Sequence, residues 1–358
     1  MSRASSPTAI EPRWPRGIRP IRLGGLSVRM QLRAWMVSAV VVIMALGVGA
    51  YSLTVGTAGY PIGDVLAALG GHADAVTTRV VVEWRLPRVV FALLGGAALA
   101  IGGAVFQSIT RNPLGSPDII GFSSGAYTGA LLVALFWTGS AVGTSAGALA
   151  GGVLTGLAVY LLAYRRGVSG MRIIVVGIGI SMLLGAFNTW ILTTMRLEQA
   201  ISAASWGAGS LTDIAWPHVL PLAIGLVIGL PLTLLLSADM TMLEMGDDIG
   251  RGLGVRAEPL RMALLLLGIV LVALVTASAG PIAFVALAAP QLAVRVMRTS
   301  GVQIVPSAAM GALLLTASDL IARTVIAPAQ LPVGVVTLCL GGGYLVWLLA
   351  SFGRKGRT

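Results

Sequence analysis

Long apolar runs, each close to the length needed to cross a membrane, fill most of this chain of 358 residues. A helix needs roughly 20 predominantly apolar residues to span the hydrocarbon core of a bilayer. The eighth run is short and contains Pro290, so we expect it to be tilted, broken or only partly spanning. The chain is therefore predicted to be an all-α integral membrane protein with about ten transmembrane helices. The predicted spans are Ala34–Val55, Val89–Ser108, Ile119–Phe136, Ala141–Leu162, Ile173–Thr194, Val219–Leu236, Leu260–Ser278, Ile282–Met297, Ile304–Ile326 and Val333–Phe352.

The composition supports lipid as the surrounding solvent. Only 10% of the residues are charged, whereas a soluble domain carries about 25% charged residues. The net charge of +11 could indicate a nucleic-acid partner. Its distribution along the chain instead favours an effect of membrane topology, so the lipid bilayer is expected as a partner and nucleic acid is not.

The basic residues predict the orientation of the chain. With the N-terminus inside, 19 of the 24 basic residues lie on the cytoplasmic side and five lie outside. Cytoplasmic loops of membrane proteins carry such an excess, so both termini are predicted to be cytoplasmic. The predicted organisation is a disordered Arg- and Pro-rich tail over 1–33, a single transmembrane domain over 34–352 and a short basic tail over 353–358.

Small residues form a stripe on the second predicted span. Gly95, Ala98 and Gly102 recur at helical spacing, and Gly96 and Gly103 widen this face. Such faces let helix backbones approach closely in lipid, so tight packing is predicted here.

Three of the outer arginines lie near the ends of predicted spans. Arg85 and Arg88 belong to the string EWRLPR before span two, and Arg323 lies near the outer end of span nine. One interpretation is anchoring at the membrane interface, with Asp319 pairing with Arg323 one helical turn away. The other is a positively charged rim that captures an acidic partner protein.

The longest hydrophilic stretch between spans on the cytoplasmic side covers residues 237–259. It mixes acidic and basic residues, and Gly252 and Gly254 allow a sharp turn. We expect a short helix, a turn and a return into span seven. Its length and mixed charge favour a docking surface for a soluble protein over an ordinary loop.

Motifs for covalent chemistry and metal binding are absent from the sequence. It contains no GxxxxGK[ST] phosphate cradle, and no cluster of His, Cys and carboxylates has metal-ligand spacing. No catalytic residue, metal site or directly bound cofactor is therefore expected. Ion-coupled carriers usually place ionisable residues in the membrane. Asp319 is the only carboxylate within a predicted span, which weakens that alternative, and a structural subunit without its own path is a further one.

Several strings resemble one family of membrane proteins over residues 34–352. They resemble the permease subunits of ABC importers for iron–siderophores, haem and vitamin B12. Within that family, EWRLPR, RNPLGSPDIIGF, AFNTW and LEMGDD look most like a subunit for ferric enterobactin. The matching strings are EWRLPRVVFALLGGAALAIGGAVFQSITRNPLGSPDIIGFSSGA (83–126), LEMGDDIGRGLGV (243–255), AGPIAFVALAAPQLAVR (279–295), SDLIAR (318–323) and LPVGVVTLCLGG (331–342).

The resemblance implies a vitamin-B12-importer-like fold in a bacterial plasma membrane, with spans two to five and seven to ten as an inverted repeat. Its cargo would be an iron–siderophore complex, either ferric enterobactin or another catecholate, with other siderophores, haem and cobalamin as alternatives. Two copies of an ATP-binding cassette subunit would hydrolyse ATP inside. A second permease subunit, related but different, and a siderophore-binding protein outside would complete the system.

The resemblance also implies roles for particular residues. Arg85, Arg88 and Arg323 match positions that meet acidic residues on the two lobes of the binding protein. The segment 243–256 matches the part that couples to the ATPase. The residues expected to act in coupling are Glu244, Gly246, Asp248, Gly252 and Gly254.

The resemblance further implies that spans five and ten line the path. Candidate polar liners on span five are Asn188, Thr189 and Thr193, although helix packing explains these residues equally well. Gln291 stands where the family often has His, which puts any role for that His in doubt here.

Overall fold

The structure is a computed structural model that describes residues 18–23, 26–56, 59–118, 120–136, 141–164, 170–298, 301 and 303–355. These residues form fourteen α-helices, one π-helical segment and one two-stranded hairpin. The strands are β1 (Ile18–Leu23) and β2 (Leu26–Gln31). The helices are α1 (Leu32–Thr54), α2 (Ile62–Leu69), α3 (Ala75–Thr78), α4 (Leu86–Thr110), α5 (Phe122–Phe136), α6 (Ala141–Ala163), α7 (Gly170–Thr194), α8 (Leu197–Gly207), α9 (Trp216–Glu244), α10 (Asp247–Gly252), α11 (Ala257–Ala279), α12 (Val285–Met297), α13 (Ile304–Thr324) and α14 (Val333–Lys355). The π-helical segment, Arg79–Arg85, leads directly into α4.

The ten predicted spans coincide with ten of these helices. Within the described residues, seven are long and apolar enough to cross a membrane, and three shorter apolar helices complete the set. The long ones are α1, α4, α6, α7, α9, α11 and α13, and the shorter ones are α5, α12 and the apolar part of α14. The prediction of an all-α membrane fold is confirmed, and the spans α5 and α12 are helices of only 15 and 13 residues.

The helices α4 to α7 and α11 to α14 form two matching sets. The first set has lengths of 25, 15, 23 and 25 residues, and the second has lengths of 23, 13, 21 and 23 residues. The leading helices α4 and α11 pack on each other, while α4 also packs on α13 and α11 on α6. This reciprocal packing is the arrangement expected of the inverted repeat.

The second helix of each set begins inside the bundle. A Cβ at Gly103 would lie 2.5 Å from the carbonyl carbon of Ala286. Gly103 lies seven residues, or about 10 Å of helix, before the end of α4. The start of α12 therefore lies in the bundle, preceded by an irregular segment. The helix runs through Pro290 without interruption, so the eighth span is short but is not broken at the proline.

Glycines set the close approach of α4 to its neighbours. A Cβ at Gly96 would lie 2.7 Å from the carbonyl carbon of Gly311 in α13, and a Cβ at Gly102 would lie 2.7 Å from Val272 in α11. No residue with a side chain fits at such contacts unless the helices move apart. The predicted tight packing is confirmed, and it involves two faces of α4 rather than one stripe.

The two tails differ in part from the prediction. Residues 18–31 pair as an antiparallel hairpin with Leu23 opposite Leu26, where the sequence analysis expected disorder. The sequence signal for this hairpin is the Gly-Gly dipeptide between two six-residue segments, because such dipeptides are typical of hairpin turns. The predicted C-terminal tail also begins later, because α14 continues to Lys355. Residues 1–17 and 356–358 lie outside the described residues.

Candidate functional site

Two of the outer arginines, Arg88 and Arg323, pair with Asp319 at the end of the bundle that the predicted orientation places outside. Arg88 contacts one carboxylate oxygen of Asp319 through Nη2 at 2.8 Å and Nε at 2.9 Å. The Nε of Arg323 lies 3.3 Å from the other oxygen. All three side chains are at most 8% exposed. We call Arg85, Arg88, Arg323 and Asp319 the outer cluster.

The outer cluster also holds the C-terminal end of α1. Arg85 donates from Nη1 to the carbonyl oxygen of Leu53 at 2.7 Å, and Arg323 donates from Nη2 to that of Ser52 at 3.3 Å. The last carbonyls of a helix have no partner within it and form the negative end of its dipole, so cations stabilise them. Three guanidinium groups thereby tie α1, α4 and α13 together.

This geometry contains the ion pair that the anchoring interpretation expects, and anchoring at the membrane interface stays a prediction. Asp319 pairs with Arg323 one turn away, as expected, and also with Arg88 from α4. Arg88 further donates to the side chain of Gln330 at 2.8 Å, which fixes the segment after α13. The cluster is a structural tie, and contact with a binding protein stays a prediction.

At the opposite end of the bundle, a short helix connects α9 to α11. Gly246 precedes α10 with φ of 121°, and Gly254 follows it with φ of 89°. Residues with side chains rarely adopt these angles, so glycine permits both turns. The expected short helix, turn and return are confirmed. Gly252 ends α10, and a Cβ there would meet no described atom within 4 Å.

Asp247 fixes α10 to the rest of the bundle. It accepts from Arg111 Nη2 at 2.7 Å and from Arg261 Nη2 at 2.5 Å. Burial alone would raise the pKa of Asp247, but the hydrogen bond and charge of Arg261, with the charges of Arg111 and Arg251, hold it below the usual value. The short helix is therefore attached to both α4 and α11.

The family resemblance instead points to the neighbouring carboxylate, Asp248, which is exposed. Nothing in the local string distinguishes the two acids, because Arg111 is 136 residues away from Asp247. Glu244, at the end of α9, is half-buried and hydrogen bonds with the side chain of Ser108. Of the predicted coupling residues, Asp248 is thus the acidic one that faces outward.

An apolar ridge on this segment escaped the sequence analysis. Met245, Ile249 and Leu253 follow one another at four-residue spacing and are 61%, 53% and 60% exposed. Leu114, in the loop after α4, is also exposed. Helical spacing of apolar residues in a polar stretch is the signal that could have found the ridge, and clustered exposed apolar residues mark interaction sites.

The three candidate path residues on α7 separate into two groups. Asn188 is buried, accepts from the hydroxyl of Thr128 at 2.7 Å and donates to the carbonyl oxygen of Ser124 at 3.2 Å. It ties α7 to α5, as the packing alternative predicts. Thr189 and Thr193 are exposed, and their hydroxyls bond to carbonyls of their own helix.

The faces of α7 and α14 are open in this single chain. Positions for a Cβ at Gly179 and Gly185 of α7, and at Gly342 and Gly343 of α14, have no described atom within 4 Å. By contrast, Gln291 of α12 points into the bundle, where its Nε2 donates to Gln107 of α4 at 2.7 Å. The open faces are the surfaces on which a path or a second subunit could be formed.

Known proteins match nearly the whole chain. The FecCD transport family matches residues 36–351. The ferric enterobactin transport system permease protein FepG of Escherichia coli K12 is 45% identical over 86% of this chain and 93% of its own length. The siderophore transport system permease protein YfhA of Bacillus subtilis 168 is 34% identical over 88% and 95%, respectively.

The fold has a counterpart among solved structures. A transporter described as being of the metal-chelate ABC type, in an inward-facing conformation, has a TM-score of 0.78 and 26% sequence identity. The similarity covers 88% of this chain and 99% of that chain. With the family match spanning the whole transmembrane region, the chain belongs to the FecCD transport family.

Proposed function

We propose that this protein is the permease subunit of an ABC importer that carries an iron–siderophore complex across a bacterial plasma membrane. The observation that carries the proposal is the 45% identity to FepG over 93% of that protein's length. Ferric enterobactin is therefore the first cargo to test, followed by other siderophores, haem and cobalamin.

Energy comes from a partner in this proposal. The sequence has no phosphate cradle, so two copies of an ATP-binding cassette subunit hydrolyse ATP on the cytoplasmic side. The apolar ridge supports this role, because it offers an exposed contact surface next to the charged residues of α10. Asp247 links α10 to α4 and α11, so a displacement of α10 is transmitted to the core of both repeats.

The path lies between this chain and a second permease subunit. The open faces of α7 and α14 support that placement, because lipid would otherwise contact glycine-lined helix backbones there. Thr189 and Thr193 lie exposed on α7 and are the proposed polar liners. Asn188 serves α5–α7 packing instead.

A siderophore-binding protein delivers cargo at the outer end. Two guanidinium groups contact the single carboxylate of the outer cluster, and Arg85 adds a third positive charge, so the formal charge of this group favours an acidic partner. Because the side chains are mostly buried, their field contributes to orientation and encounter more than to direct pairing.

The alternative of an ion-coupled carrier loses its main candidate. Asp319 is held in ion pairs with Arg88 and Arg323 at the outer end of the bundle. Both of its carboxylate oxygens are engaged by arginines, so Asp319 is poorly placed to bind a coupling ion.

Uptake of radiolabelled iron as ferric enterobactin tests the proposal. The assay uses cells that lack this gene and are complemented with the wild-type chain. In one arm the ATPase partner is active, and in the other it is a variant that cannot hydrolyse ATP. We expect uptake only with the wild-type chain and an active partner. Failure of the wild-type chain to restore uptake would refute the catecholate assignment. Uptake that persists with the inactive partner would refute the ATP-driven mechanism.

A further inference from the structure

The re-entrant segment between α4 and α5 carries a carboxylate, Asp118, that the sequence analysis left outside the spans. Its carboxylate accepts a hydrogen bond from the hydroxyl of Ser123, in the first turn of α5. It also accepts one from the backbone N–H of Phe284, the residue that precedes α12. Asp118 therefore joins the N-terminal ends of the two short helices, one from each repeat.

The electrostatics of this junction explain why a carboxylate is suited to it. The N-terminal end of a helix presents unpaired N–H groups and the positive end of the dipole. Two such ends would repel each other across the junction, and an acid between them stabilises both. Phe284 has φ of 69°, which is rare for a residue with a side chain and is maintained here by its surroundings.

On one side, the junction is packed tightly against α7. A Cβ at Gly177 would lie 2.6 Å from the Cα of Ile120. Gly121, with φ of 90°, lies so close to α7 that a Cβ there would be 2.9 Å from the hydroxyl of Ser181. Ile120 and Gly121 are therefore in direct contact with the backbone of α7.

On the other side, the junction is packed tightly against α14. A Cβ at Gly341 would lie 2.5 Å from the Cβ of Phe284, with ring atoms at similar distance. Movement of α14 thus displaces Phe284, whose N–H is bonded to Asp118. A continuous series of contacts runs from α14 through Phe284 and Asp118 to α7.

We propose that Asp118 is a positioning residue that makes α7 and α14 move together through the starts of α5 and α12. These two helices carry the open faces on which the proposed path is formed, so their relative position shapes this chain's side of the path. The importance for transport rests on the proposed function, whereas the coupling of the two helices does not.

The test measures the distance between α7 and α14 in the assembled transporter. Cysteines at Gly185 and Gly342, whose Cβ positions meet no described atom within 4 Å, carry spin labels after the exposed native Cys339 is replaced by Ser. Distance distributions are recorded in lipid nanodiscs without nucleotide and after trapping with ATP and vanadate. The variants are Asp118→Ala, Asp118→Asn and, as a control, the exposed acid Asp64→Ala.

We expect Asp118→Ala to broaden the distribution in both states and to lower the cargo moved per ATP about tenfold. Asp118→Asn keeps an acceptor oxygen for Phe284 and restores a narrow distribution, and Asp64→Ala resembles the wild type. A merely structural role would lower assembly without broadening the distribution of the assembled protein. A distribution for Asp118→Ala as narrow as that of the wild type would overturn the proposal.

A second variant keeps the test decisive if Asp118→Ala does not assemble. Gly341→Ala disturbs the same series of contacts from α14, because its methyl group overlaps Phe284. Broadening in this variant supports the coupling, and a wild-type distribution refutes it. If the wild-type transporter moves no ferric enterobactin, the proposed cargo fails, but the distance measurement still judges the role of Asp118.

Discussion

The two ends of the bundle differ in how far their charged residues are buried. At the outer end, Arg88, Arg323 and Asp319 are buried and form ion pairs with one another. At the inner end, Asp247 anchors a short helix whose neighbouring acid and apolar ridge stay exposed. The outer cluster therefore holds helices together, whereas the inner segment combines an internal anchor with a surface for a partner. A charged residue near the end of a span therefore indicates a docking surface only where its side chain is exposed.

The largest expected effect is at the outer cluster. Asp319→Ala leaves Arg88 and Arg323 buried without their carboxylate, and loss of one partner of a buried pair typically costs about 3–5 kcal/mol. We expect a large fall in the thermal unfolding temperature of the purified protein. Glu83→Ala is the matched control, because it breaks the exposed pair with Arg79, in which both side chains are more than 60% exposed.

Equal unfolding temperatures for Asp319→Ala and Glu83→Ala would contradict the interpretation of the outer cluster as a tie. Such a result would return the arginines to the docking interpretation. It would also remove the contrast between the two ends of the molecule.

The next effect concerns the apolar ridge. Ile249→Asp places a charge in the centre of the proposed contact with the ATPase, and loss of a central apolar contact costs about 2 kcal/mol or more, which is roughly thirtyfold in Kd. Binding of the purified ATPase subunit to the permease in nanodiscs measures the change. The control is Val227→Asn on the exposed face of α9.

A ridge variant that binds the ATPase as tightly as the wild type would refute this surface. If Asp248→Ala then weakens binding instead, the charged residues chosen from the sequence carry the contact. The comparison of these two variants separates an apolar docking surface from a polar one.

These two ends also show what the sequence could and could not supply. The apolar runs predicted ten helices, since the need to bury backbone polar groups in lipid leaves little choice. The distribution of basic residues predicted which end of the bundle is cytoplasmic. The burial of Arg323 was not predictable, because its partner Ser52 lies 271 residues away. Asp247 and Asp248 are adjacent and chemically identical, so only tertiary contacts separate the anchor from the exposed acid.

A smaller effect on stability is expected for Asp247, which holds α10 against α4 and α11. Charged hydrogen bonds at a partly exposed site contribute about 1 kcal/mol. The pKa of Asp247 is lowered in the folded protein, so this contribution is present above the ordinary value of 3.8 and is lost as pH falls through the lower folded value. Asp247→Asn should remove that part of the acid sensitivity of unfolding. An unchanged pH dependence in the variant would show that Arg111 and Arg261 do not hold α10 through this carboxylate.

The smallest expected effect concerns the charge of the outer face and the rate at which a binding protein associates with it. Arg79→Glu changes the charge of the outer face by two units without touching the buried cluster, since Arg79 is exposed and contacts Glu83 at 3.6 Å. If the field of this face steers an acidic binding protein, the association rate falls severalfold at low salt and recovers towards the wild-type value as salt is added. Stopped-flow mixing of the loaded binding protein with the transporter measures the rate. An association rate that is the same for both proteins at every salt concentration would mean that the outer face does not select its partner by charge. The arginines of the outer cluster would then act in folding alone, and recognition of the binding protein would rest on shape and apolar contacts at that end.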